Sequence, residues 1–185
     1  MAIIKPYKGI YPKIDQTVFV AENAVIIGDV EIGKDSGIWY NVVIRGDVNY
    51  IRIGERTNIQ DGTIIHVDHK RYPTIIGNNV TVGHKVMLHA CTIEDYCLIG
   101  MSATVMDGVI VGKYSIVAAG ALVTPGKVIE PYSLWAGVPA KFVRKLTEEE
   151  IAWLEKSAEN YVKYKNSYLE EELKWMKRLS FYLQL

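Results

Sequence analysis

The chain has 185 residues, 49% of them hydrophobic, and its basic (Lys plus Arg) and acidic residues are equal at 21 each. That length and apolar fraction suit one compact domain, 1–185, with an ample core, and the charge balance leaves no electrostatic footprint for nucleic acid or an anionic membrane surface. The start, MAIIKPYKGIYPKI, has no apolar signal region, and no stretch nears the roughly 18 apolar residues of a membrane span, so the expectation is a cytoplasmic protein with no nucleic-acid and no membrane partner.

Residues 1–19 read as a lead-in. From Val20 an aliphatic residue recurs every six positions: Val20, Ile26, Ile32, Ile38 and Ile44, then Ile53, Ile59 and Ile65. The register slips, resumes at Ile76, Val82 and Leu88, takes a five-residue step to Ile93, and runs through Ile99, Val105, Val111, Val117 and Val123 to Ile129. Four residues after these aliphatics stands a second column of small or β-branched residues, Ala24, Val30, Ser36, Val42, Val48, Thr57, Thr63, Val80, Val86, Thr92, Cys97, Ala103, Val109, Ser115 and Ala121. Gly follows the aliphatic at Gly33, Gly54, Gly77, Gly83, Gly100 and Gly112, where a turn is expected to need a permissive φ. Strands this frequent leave no room for crossover helices, but short strands with tight corners stack as a solenoid, three hexapeptides to a triangular coil. The expected fold is an all-β solenoid over 20–134, a parallel β-helix of hexapeptide repeats with a C-terminal α-helix. Its left-handed coil is implied by similarity to known hexapeptide-repeat proteins. The segments after Ile44 and Ile65 break the period and are expected as loops on the outside. Cys91 and Cys97 are too few for a disulfide framework and read as core thiols.

Beyond the repeat, Thr147 and Glu150 form a T-x-x-E capping box that opens a helical stretch over 147–183, with a change of direction near Asn166. Such a helix packs along the solenoid or covers its open end, which accounts for Tyr161, Tyr164, Tyr168 and Trp175.

The coil phase makes the histidines informative. Ile44, Ile65 and Leu88 fall on one face in successive coils, so the residues that follow them, Arg45, His66 and His89, form an outer column with coils about 4.8 Å apart. Two ring nitrogens on a tetrahedral zinc ion, each about 2.0 to 2.1 Å from it, sit a little over 3 Å apart, which imidazoles one coil apart can reach. His84 has the phase of Asp61 and lies on another face, so it completes such a site only from a neighbouring copy, giving three sites per homotrimer. His69, inside the loop, is left out.

These residues resemble the gamma-class carbonic anhydrase family over about residues 10 to 145: Val43-Ile44-Arg45-Gly46-Asp47, Asn58-Ile59-Gln60-Asp61-Gly62, His66, the pair His84 and His89, and Ile99-Gly100-Met101. The resemblance implies zinc held by His66 and His89 of one subunit and His84 of the next. It implies reversible hydration of carbon dioxide to bicarbonate by a metal-bound hydroxide, with Arg45 and Asp47 as interface and active-site partners and Gln60 and Asp61 orienting the metal-bound water. Arg45 is expected to pair with a carboxylate such as Asp61. Imidazole also suits iron or cobalt. The family's well-established hydratases carry a Glu beside the Arg-x-Asp motif and a longer acidic loop. Here Val48 and Asn49 follow Asp47, and the loop offers Asp68, His69, Lys70 and Arg71, so proton export falls to these or to a helix tyrosine such as Tyr161 and is expected to be slow and buffer-dependent. Two alternatives stand beside this reading. The coil-terminating segment Trp135-Ala136-Gly137-Val138-Pro139-Ala140-Lys141 is shared with hexapeptide acyltransferases, which points to a transferase or thioesterase acting on a coenzyme A thioester; the other is a non-catalytic, metal-stabilised trimer.

Overall fold

A computed structural model describes the backbone of residues 1–182 and the side chains of residues 1–175. The six-residue period becomes a parallel β-solenoid of about seven turns followed by one helix. Three stacks of short strands make its faces. The first carries Val43–Ile53, Ile64–His66, Met87–His89, Thr104–Val105 and Leu122–Val123. The second carries Phe19–Val20, Gly37–Ile38, Asn58–Ile59, Thr81–Val82, Leu98–Ile99 and Ile116–Val117, and the third Thr74–Ile76, Thr92–Ile93, Ile110–Val111 and Val128–Ile129. Cα register pairs Ile44 with Ile65 and Ile65 with Leu88, and Ile59 with Val82, as the coil phase predicted.

The aliphatic column points inward: Ile26, Ile38, Ile44, Ile59, Ile65, Leu88, Ile99 and Val117 are all at 0% exposure, each burial being worth about 1.5–3 kcal/mol. The small column lines the same core, and its hydroxyls bind the next coil: Ser36 Oγ donates to the Gly54 carbonyl at 2.8 Å and Thr63 Oγ1 to that of Gly83 at 2.9 Å. Two predicted members depart. Val48 is 38% exposed, and the five-residue step puts Cys91 inside in place of Thr92, which faces outward. Burial pushes the thiols of Cys91 and Cys97 up to about 12, so both are unreactive core groups.

The glycines that follow the aliphatics serve a different purpose from the one expected. None of those six has a positive φ; the left-handed residue comes two positions later, at Asp35, Arg56, Asn79, Lys85, Ser102 and Tyr114. Glycine is required by close stacking instead, since a Cβ on Gly100 would lie 2.4 Å from the backbone nitrogen of Ala119 in the next coil.

The segment after Ile44 is not a loop. Val43–Ile53 is one eleven-residue strand that turns the corner from the first face to the third, because the coil before it, Val25–Ile32, also runs through and pairs Ile27 with Arg45 and Gly28 with Gly46. The segment after Ile65 does loop out, with Tyr72 lying over Gly108 and the Asn49 amide donating to the Asp68 carbonyl at 3.2 Å.

The helix, Glu148–Tyr182, runs through Asn166 without interruption; Leu183, the last residue of the predicted stretch, lies outside the described residues. Thr147 Oγ1 accepts from the Glu150 amide at 3.2 Å and the Glu150 carboxylate accepts from the Thr147 amide at 2.9 Å, which is the predicted box. The helix then descends the second face from late coils to early ones. Glu155 meets Tyr114, Ser157 meets Thr81 at 3.1 Å, Tyr161 meets Trp39, and Tyr168 packs on Phe19 and Trp39. From Ser157 to Tyr168 it rises about 16 Å, against about 14 Å for the three coils from Thr81 back to Phe19, so one face of the helix keeps step with the coils. Tyr164 and Trp175 point away and are exposed. Among the described residues no helix is long and apolar enough to cross a membrane.

Candidate functional site

The first face is bounded on both sides by the predicted site residues. Its strands exit into His66 and His89, register partners in adjacent coils. Its entry corner holds Gln60 and Asp61 in one coil and His84 in the next.

At the exit side the two imidazoles face each other, with Nδ1 of His66 3.2 Å from Nε2 of His89 and ring centroids 5.2 Å apart. Each outer nitrogen meets a carboxylate: His66 Nε2 lies 2.9 Å from Asp47 Oδ1, and His89 Nδ1 lies 2.5 Å from Asp107 Oδ1. Burial pushes the Asp47 carboxyl upward, but hydrogen bonds from His66 and Arg45 outweigh it and hold the group below the usual carboxylate range. An ionised carboxylate only accepts, so the outer nitrogen that bonds it carries the proton and the inner nitrogen presents a lone pair. The 3.2 Å between the inner nitrogens suits either one shared proton or two ligands on one tetrahedral ion. Carboxylates behind ligating histidines are the usual orienting shell of a metal site.

Within one chain Arg45 does not pair with Asp61. It pairs with Asp47, two residues along the same strand and therefore on the same side. Asp61 pairs instead with His84, whose Nδ1 lies 2.8 Å from Asp61 Oδ2. Among the described residues no group of three or more His, Cys, Asp or Glu side chains converges in a way that could hold a metal ion within one chain. His84 sits at the opposite edge of the first face from His66 and His89. His69 is exposed in the loop.

Gln60 is buried under the helix. Its Nε2 donates to Asn58 Oδ1 at 3.0 Å, Asn58 Nδ2 donates to Thr81 Oγ1 at 3.1 Å, and Thr81 bonds Ser157 of the helix. The Tyr161 side chain lies beside Gln60, and both line one groove. Burial, with Tyr164 and Asp61 nearby, raises the Tyr161 pKa above the usual tyrosine value, and the nearby Gln60 amide partly offsets this. A groove of about 390 Å³ opens beside Gln60, His84 and Tyr161, walled by Leu98, Ile116 and Trp153. Asp107, Asn58 and Thr81 were not foreseen from the sequence.

A family model described as Bacterial transferase hexapeptide (six repeats) matches residues 90–125. The chain is 45% identical over 160 residues to the carbonic anhydrase of Geobacillus kaustophilus (strain HTA426), covering 86% of this chain and 87% of that protein. It is 51% identical over 156 residues, 82% of its length, to the mitochondrial gamma carbonic anhydrase 2 of Arabidopsis thaliana, and it spans 56% of the length of that plant protein. The crystal structure of a hexapeptide transferase family protein from Anaplasma phagocytophilum matches with a TM-score of 0.87 at 50% identity, covering 90% of this chain and 98% of that one.

Proposed function

Because the chain belongs to the gamma-class carbonic anhydrase family, we propose that it catalyses the reversible hydration of carbon dioxide to bicarbonate at a zinc site shared between the subunits of a homotrimer. The observation that carries this is the 3.2 Å approach of the inward nitrogens of His66 and His89, with a carboxylate behind each ring.

The position of His84 supports a shared site. A copy with one half-site at each edge of the same face can place its exit edge against the entry edge of the next copy, and such a head-to-tail contact closes as a trimer when the rotation between copies is one third of a turn. The outward residues of that face are suited to burial: Val25, Val43, Met87 and Leu122 are half-buried in the single chain, and Ile64 is exposed. His66 and His89 of one copy and His84 of its neighbour would hold the ion, and the same imidazoles would accept iron or cobalt. When bound, zinc supplies Lewis acidity that makes water a nucleophile near neutral pH.

The chain's own residues supply the rest. Asp61 orients His84, Asp47 orients His66 and is itself neutralised by Arg45, and Asp107 orients His89. Gln60, held by Asn58, lines the groove beside His84 and Tyr161, where it can hydrogen-bond a substrate oxygen. Each turnover releases one proton beside bicarbonate. Val48 and Asn49 carry no titratable group, so export falls to Asp68 and His69 of the loop and to buffer. Stopped-flow indicator assays on the zinc-loaded full chain are expected to show hydration that rises with imidazole buffer concentration. A zinc-replete protein with no hydration at any buffer concentration overturns the reading.

A further inference from the structure

Lys165 is the one charged side chain among the described residues that is buried, at 2% exposure. Its ammonium donates to the Thr17 carbonyl at 2.7 Å and to Asp35 Oδ1 at 2.9 Å, both in the first coils of the solenoid. The acceptors are held ready for it. Thr17 Oγ1 accepts from the Asp35 amide at 2.7 Å, and the amide and hydroxyl of Thr17 both donate to Asp15. An ion is costly to bury even when paired, and an apolar residue would fill the same space.

The surroundings explain what the charge adds. Lys165 lies between Tyr161, one turn before it, and Tyr168 and Leu169, one turn after, in a cluster of Phe19, Trp39 and Tyr40. The rings meet tilted or edge-to-face with centroids 5.1 to 6.1 Å apart, contacts that fix no donor–acceptor pair and so tolerate small sliding of the helix along the groove. Two charge-assisted bonds to oxygens at fixed positions resist it, because a shifted helix would leave a buried ammonium unpaired.

We propose that Lys165 is a positioning residue whose clasp on Thr17 and Asp35 sets the register of the helix, so that Tyr161 lies beside Gln60. The catalytic consequence rests on the proposed place of Gln60 in the hydration site; the register itself does not.

The test places 3-fluorotyrosine at position 161 of the full chain and reads its fluorine resonance with and without zinc. Gln60→Ala supplies the resonance of a Tyr161 that has lost its neighbour. Lys165→Met is expected to move the signal toward that reference with zinc content unchanged, and Lys165→Arg, which keeps a charged donor, to move it less. Hydration turnover in Lys165→Met is expected to fall about 10- to 100-fold, the effect of roughly 1 Å of misplacement. If Lys165→Met fails to fold, Asp35→Ala removes one of the two bonds at a partly exposed side chain and gives the same reading. A resonance unmoved in folded Lys165→Met, or in Asp35→Ala where Lys165→Met does not fold, overturns the proposal. A moved resonance with unaltered turnover keeps the register role and removes the Tyr161–Gln60 contact from the reaction.

Discussion

Replacing Asp107 by Ala removes the carboxylate that stands 2.5 Å behind His89 Nδ1 without touching either inward nitrogen. If His89 is a ligand, Asp107 fixes its tautomer and ring angle, and loss of such a partner lowers metal affinity about 10- to 100-fold, or about 1.4–2.7 kcal/mol. The side chains of His89 and Asp107 are 34% and 38% exposed, so water can replace part of the lost bond and the effect should fall near the tenfold end. Asp107→Asn keeps an acceptor oxygen and should lose less. Competition with a chromophoric zinc chelator on the assembled protein measures this. An Asp107→Ala protein that holds zinc with wild-type affinity refutes the assignment of Asp107 as the orienting partner of a ligand.

His66→Ala, His84→Ala and His89→Ala should each abolish stoichiometric zinc by elemental analysis, whereas His69→Ala, in the exposed loop, should retain it. Val48→Glu places a carboxylate beside Asp47 at an exposed position, and should raise hydration turnover in low buffer while changing it little at high imidazole. Hydrogen bonds from Arg144 and from the Thr147 amide lower the Glu150 pKa from 4.5 to about 2, so the stabilisation it gives is present above about pH 4.5 and is lost as pH falls toward 2. Glu150→Gln should therefore lower the thermal midpoint at pH 7 and match wild type near pH 2. Thr147→Ala, which removes the cap, should cost about 1 kcal/mol at neutral pH by the same melts.

Much of the fold was legible because an inward side chain every six residues is dictated by the triangular coil itself, and the same phase placed His66 beside His89 and His84 apart from them. The glycines misled because two causes of glycine, left-handed φ and close backbone approach, look alike in a sequence; only the stacked coils separate them. Within one chain Arg45 pairs with Asp47 and not with Asp61, because the segment after Ile44 is a strand and not the expected loop. As a strand it has a period of two, which puts Arg45 and Asp47 on one side. Asp107 was missed because Met106, not Asp107, has the phase of His66 and His89, and the carboxylate reaches back across one coil to the ring. The pairs Thr81–Ser157 and Lys165–Asp35 join residues 76 and 130 positions apart, and they follow only from the direction in which the helix descends.

The central claim is that the site is divided between copies, and subunit mixing tests it most directly. His84→Ala chains keep His66 and His89, while His89→Ala chains keep His84. Neither alone should hold zinc. When equal amounts exchange freely, an intact site needs one of each kind in the right order, so about a quarter of the wild-type zinc should return. Native mass spectrometry establishes that mixed trimers have formed, and elemental analysis counts the metal. Recovery near that fraction, with hydration returning in proportion, is the predicted result. Mixed trimers that stay free of zinc contradict the account.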